Sequence, residues 1–93
     1  MAMHVITPRL TAEEKGYCDA QRRMRTLAML RTAGAEVVTV DQIEAIAAEF
    51  TACNTAAEVD AVYKAAIKDG FDMELAKAFR KMAKGSIRAA AAA

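Results

Sequence analysis

The sequence predicts an all-α protein, a small bundle of about four helices in a single domain, and three observations predict it. Helix-start signatures of the form Thr-x-x-Glu or Thr-x-x-Gln stand at Thr11, Thr39 and Thr55. In that pattern the hydroxyl bonds the amide three residues on and the longer side chain returns to the threonine amide. Downstream of each signature, apolar residues recur every three or four positions, and Gly34, Asn54 or Gly70 stands where the recurrence stops. The hydrophobic fraction is 55% but only 5% of residues are aromatic, so the core is one of small aliphatic contacts between helices.

Residues 1–10 have no helical period. Pro8 excludes a helix interior there and biases Thr7 toward extended backbone, which makes the segment an extended arm. Thr11 with Glu14 opens the first helix, at about 12–33. Tyr17, Ala20, Met24, Leu27 and Ala28 form its stripe, and Gly34 ends it. The β-branched run from Val37 to Val40 would make only an isolated ribbon with His4 to Thr7, which is marginal in water. It reads better as a helix entry, with Thr39 as N-cap, Gln42 three residues on, and Val38 stapled to Ile43.

The second helix, about 40–53, carries the stripe Val40, Ile43, Ile46, Ala47 and Phe50, and Asn54 stops it by tolerating the left-handed conformation. Thr55 with Glu58 opens the third, about 56–69, whose stripe is Val59, Val62, Tyr63, Ala66 and Ile67. Gly70 and Phe71 supply its glycine stop and the apolar contact that accompanies one. Asp72 caps the fourth helix, about 73–84, with Leu75, Ala78, Phe79 and Met82 buried. Gly85 and Ser86 weaken it, and residues 86–93 form a frayed or appended alanine-rich tail beyond a single domain at 11–85. Short connections lead to the expectation that successive helices pack on one another.

Several function classes are disfavoured. No run approaches a membrane span, and residues 1–10 lack the apolar stretch of a secretory signal, so the expected location is the cytoplasm of a bacterial host. In that compartment Cys18 and Cys53 are expected as free thiols. Two Cys and one His match no metal spacing, and no cofactor motif is present. His4 falls in the arm, Cys18 and Cys53 have no positioned base, and Glu13 and Glu14 have a helix-terminus role, so no catalytic set is expected.

Charge is the best functional clue. Residues 1–33 carry six positive and three negative side chains, residues 34–70 two and seven, and residues 71–93 five and two. Lys77, Lys81, Lys84 and Arg88 step by four, three and four along the last helix and therefore form a line opposite its apolar stripe. Such a line suits an acidic protein or a phosphate backbone, and equally a solvated helix face whose cations meet the dipole. Arg22, Arg23 and Arg25 form a second basic group that spreads around its helix. No exposed aromatics interleave with either group. Helix-turn-helix binding is disfavoured, because Glu58, Asp60 and Asp69 on the third helix would face phosphates. Met29, Leu30 and Ile87 lie off the main stripes and are candidates for a homodimer contact.

The run from Asp41 to Met82 resembles the helical segment at the C-terminal end of phage-type single-strand annealing recombinases. The positions that carry the resemblance are Ile43 and Ile46, Thr55 with Glu58 and Val59, Tyr63 with Ala66, Gly70, then Leu75, Phe79 and the cations that follow. It spans residues 39–84, about half the chain. The resemblance implies a docking module for a nuclease or for the acidic tail of a single-strand-binding protein, with Lys77, Arg80, Lys81 and Lys84 as contacts. The annealing core has no counterpart in this chain, so docking carries over and annealing does not. The expectation is a non-enzymatic protein-interaction module of phage or mobile-element type, acting in DNA recombination or as an inhibitor such as an anti-CRISPR or antirestriction factor. Direct nucleic-acid binding and structural homo-oligomerisation are the alternatives.

Overall fold

Each helix of the protein starts where a side chain is placed to satisfy its first amides. The computed structural model describes residues 9–92, with helices α1 (Ala12–Thr32), α2 (Val40–Thr51), α3 (Ala56–Lys68) and α4 (Met73–Ala92). Most of the expected arm, His4 included, lies outside the described residues. Both bonds of the capping box form at Thr11, at 3.0 and 3.1 Å with Glu14, and at Thr39, at 2.8 and 3.1 Å with Gln42. Thr55 departs from the expected reciprocal pattern. Its hydroxyl accepts from the Glu58 amide at 3.2 Å and donates to the Glu58 carboxylate at 3.1 Å, which keeps that carboxylate from returning to the cap amide.

Gly34 and Gly70 adopt φ of 90° and 84°, and each closes a Schellman motif. Ala35 N–H reaches the Leu30 carbonyl at 2.9 Å, and Phe71 N–H reaches that of Ala66 at 3.0 Å. Phe71 is buried as the apolar partner of that turn. Asn54 does not take the left-handed role expected of it; no non-glycine among the described residues has positive φ, and α2 ends instead through Ala52 and Cys53 amides bonded to the last turn.

The largest correction concerns α4, which runs through Gly85 and Ser86 to Ala92 instead of weakening at Lys84. Gly85 is buried against α1, and a Cβ there would stand 2.5 Å from the Glu13 backbone nitrogen. Gly16 on α1 is equally confined, with a Cβ placed 2.7 Å from the Met82 amide nitrogen and 2.8 Å from the Ala78 carbonyl oxygen. The two glycines let two helix backbones meet, and the packing of α1 offsets a helix-propensity cost of about 1 kcal/mol per glycine.

α4 is consequently the central helix. α1 runs antiparallel along one side of it, α3 packs on the opposite side, and α2 leans on α3 and α4 through Phe50, whose ring lies 6.0 Å from that of Phe79. Of the successive pairs expected to pack together, α2 with α3 and α3 with α4 do so, whereas α1 makes no close backbone approach to α2. The close glycine contact also turns the face of α1 that is buried. Ala20 and Leu27 are inside as expected, Gly16 joins them, and Tyr17 and Ala28 face out. Val40, at the first position of α2, is exposed as well. The result is a slab of 54 × 34 × 16 Å with a radius of gyration of 15.6 Å, against about 12 Å for a compact domain of this length. Leu27, Val59 and Leu75 are the largest fully buried side chains of its thin core.

Candidate functional site

The basic residues separate into those that hold the helices together and those that face solvent. Arg23 belongs to the first kind. It projects from α1 onto the start of α4, where its Nε and one terminal nitrogen donate to the two Asp72 oxygens at 2.9 and 2.7 Å. Asp72 also accepts the Leu75 amide at 2.9 Å, so one carboxylate both caps α4 and anchors α1. The Arg23 guanidinium holds the Asp72 carboxyl below its ordinary range, against the opposing effect of burial. Glu74 adds a looser contact at 3.4 Å.

The line expected along the last helix divides in the same way. Lys81 turns toward α1 and meets Asp19 at 3.0 Å; Lys84 turns toward α3 and meets Asp60 at 2.8 Å. Arg80 lies 4.2 Å over the Tyr63 ring. Lys77 and Arg88 make no ion pair among the described residues, and neither does Arg25 on the outer side of α1. The structure brings Arg22, Arg23, Lys77 and Lys81 together around a shallow recess between α1 and α4, with Asp19 and Glu74 in the same wall. It leaves Arg25, Arg80, Lys84 and Arg88 outside that recess. The acidic side chains Asp41, Glu44 and Glu49 are exposed on α2, which carries no cation.

A second feature was not legible as a site. Because α1 bypasses α2, a groove opens between the beginning of α1 and the end of α2, with the C-terminal half of α4 as its floor. Phe79, Met82, Ala83, Ser86 and Ile87 line it along α4, Ala47, Phe50 and Thr51 along α2, Cys53 just past the end of α2, and Glu13 at the rim of α1. Its volume is about 220 Å³. Ala47 and Phe50, and Phe79 and Met82, read in sequence as parts of two ordinary apolar stripes, and Ile87 as a residue off them. Only the continuation of α4 to Ile87 and the missing α1–α2 contact expose them together.

Both thiols are free. Cys53 is half-buried in the groove and donates to the Glu49 carbonyl at 3.3 Å. Burial foremost, then Glu58 and Glu49, pushes its pKa up, which makes it a poor nucleophile at neutral pH. Cys18 is exposed on α1. Among the described residues no three His, Cys, Asp or Glu side chains converge as metal ligands, and no helix is long and apolar enough to cross a membrane. Met29 and Leu30 are exposed near the end of α1, whereas Ile87 packs against the core. Compared with family models, curated proteins and solved structures, the chain matches none.

Proposed function

We propose that this protein is a small non-enzymatic interaction module that docks on a protein of a nucleic-acid-processing complex, as an adaptor or as an inhibitor. The observation that carries the reading is the apolar groove floored by Phe79 and Met82, an open concave surface with aromatic side chains in its walls. Grooves between helices receive apolar side chains of a partner, and aromatic walls contribute most of the binding energy. The slab shape supports the same reading, since the chain spreads more surface than its core requires. The phage or mobile-element class and the nucleic-acid context rest on the resemblance of residues 39–84 to recombinase docking segments.

Ser86 offers the test, because it is exposed in the groove floor and its replacement leaves the core untouched. Immobilised wild-type protein should retain a defined partner from bacterial lysate, and Ser86→Arg should lose it while keeping the same helical content. Equal retention by both proteins would remove the groove from the interaction.

A second reading is favoured by the recess of Arg22, Arg23, Lys77 and Lys81 between α1 and α4, namely contact with a phosphate backbone. Asp19 and Glu74 in its wall weigh against strong binding. A labelled oligonucleotide titrated over a salt series decides it. The reading requires steep salt dependence and a loss in Arg22→Glu/Lys77→Glu; it fails if the variant binds as the wild type does.

A further inference from the structure

We infer that the partner segment received by the groove is basic: an amphipathic helix that seats apolar side chains on Phe79, Met82 and Ile87 and carries lysines or arginines on either side of them. The inference rests on the reading of the groove as a docking surface and adds the chemistry of what docks there. Size sets the scale of the occupant. The groove volume of about 220 Å³ is smaller than the roughly 300–1,000 Å³ of sites that enclose a small ligand, whereas its floor from Phe79 to Ile87 covers about 12 Å, two turns of a helix laid along it.

Charge sets the sign of the occupant. Among the described residues that line the groove only Glu13 is charged, and it is exposed at the rim. Two more exposed carboxylates, Glu49 and Glu58, lie close enough to Cys53 in the same wall that their charges help to push its thiol pKa up. The neighbouring cations are directed elsewhere. Lys81 is held by Asp19 of α1 at 3.0 Å, Lys84 by Asp60 of α3 at 2.8 Å, and Arg80 lies over the Tyr63 ring. Arg88 stands nine residues beyond Phe79, about two and a half turns, and therefore on the opposite side of α4. No residue of α2 is a cation. An apolar floor with an acidic surround is the complement of a helix whose apolar stripe is flanked by positive charge.

Three labelled helical peptides of about 18 residues, alike in a leucine stripe and bearing lysine, glutamine or glutamate beside it, test the inference by fluorescence anisotropy. At low salt the wild type should bind the lysine peptide at least about fivefold more tightly than the glutamine peptide, with the glutamate peptide weakest, and the preference should fall toward parity at high salt. Glu13→Gln/Glu49→Gln should lose the preference yet still bind the glutamine peptide. Ser86→Trp, which fills the floor without adding charge, should lose binding of all three while circular dichroism shows unchanged helical content in both variants. Equal binding of the lysine and glutamine peptides, both lost in Ser86→Trp, would overturn the inference and leave the docking groove standing. No binding of the lysine peptide, or binding that Ser86→Trp leaves intact, would overturn it too, and retention of a partner from lysate judges the groove reading separately. A concentration-dependent dimer dissociated by Ser86→Trp would also overturn it, because the occupant would then be a second copy of the chain.

Discussion

Gly85 of α4 and Glu13 of α1 meet backbone to backbone, so closely that any Cβ at position 85 would lie 2.5 Å from the Glu13 nitrogen. That contact, with its counterpart at Gly16, keeps α1 on α4 and off α2. The groove exists because of it.

The first prediction reverses the usual sign of a helix substitution. Replacing glycine by alanine inside a helix normally stabilises by about 1 kcal/mol. Gly16→Ala and Gly85→Ala should instead destabilise by about 1–3 kcal/mol, because the added methyl meets backbone that cannot yield. Ser86→Ala, exposed on the same helix, serves as the control and should be neutral or slightly stabilising. Urea unfolding midpoints compare the three, and stabilisation in either glycine variant would contradict the close contact.

A second prediction concerns Arg23 and Asp72. Removing the fork with Arg23→Ala leaves a partly buried carboxylate without its cation and should cost about 1.5–3 kcal/mol. Chemical denaturation at neutral pH would measure it, and a loss no larger than that of Arg25→Ala would show the fork to be energetically idle.

Acid should weaken the same clamp. The folded-state pKa of Asp72 is depressed, so its contribution is complete above the unfolded carboxylate value near 3.8 and is lost as pH falls through the lower, folded value. Stability from this group is therefore flat around neutrality and declines below about pH 4. Asp72→Asn should start lower and show a shallower decline in that window; identical acid profiles for the two proteins would exclude the linkage.

The caps give a fourth prediction. Thr39→Ala removes the hydroxyl that accepts the Gln42 amide at 3.1 Å and should cost about 1 kcal/mol. Thermal unfolding followed at 222 nm would register it as a fall of several degrees in Tm, roughly 4–8 °C per kcal/mol for a domain of this size. No change would mean that α2 is held by Phe50 and Ile43 alone.

Much of the helix layout was legible because its signals are local. Thr11 and Thr39 with their partners three residues on, and Gly34 and Gly70 with theirs, act within one turn of chain. Their hydrogen bonds form as those spacings require. The stripes of α2, α3 and α4 were legible for the same reason, since three- and four-residue recurrence places side chains on one face whatever packs there. Gly85 was not. A glycine that weakens a helix and one that admits a neighbouring backbone have the same local sequence, and only the facing Glu13 distinguishes them. The cationic line was likewise half legible. Its spacing put Lys81 and Lys84 on one helix face, but their side chains separate toward Asp19 and Asp60, which lie on two other helices.

By itself, then, the sequence determined four helices, most of their ends and the residues able to line a core, because caps, glycine stops and periodicity act over a few residues. The tertiary structure decided which face of α1 is buried, how far α4 continues, which cations are spent on internal contacts, and that a groove opens between α1 and α2. Those outcomes depend on how closely backbones from opposite ends of the chain approach, a distance set by pairs such as Gly85 with Glu13 and Gly16 with Met82.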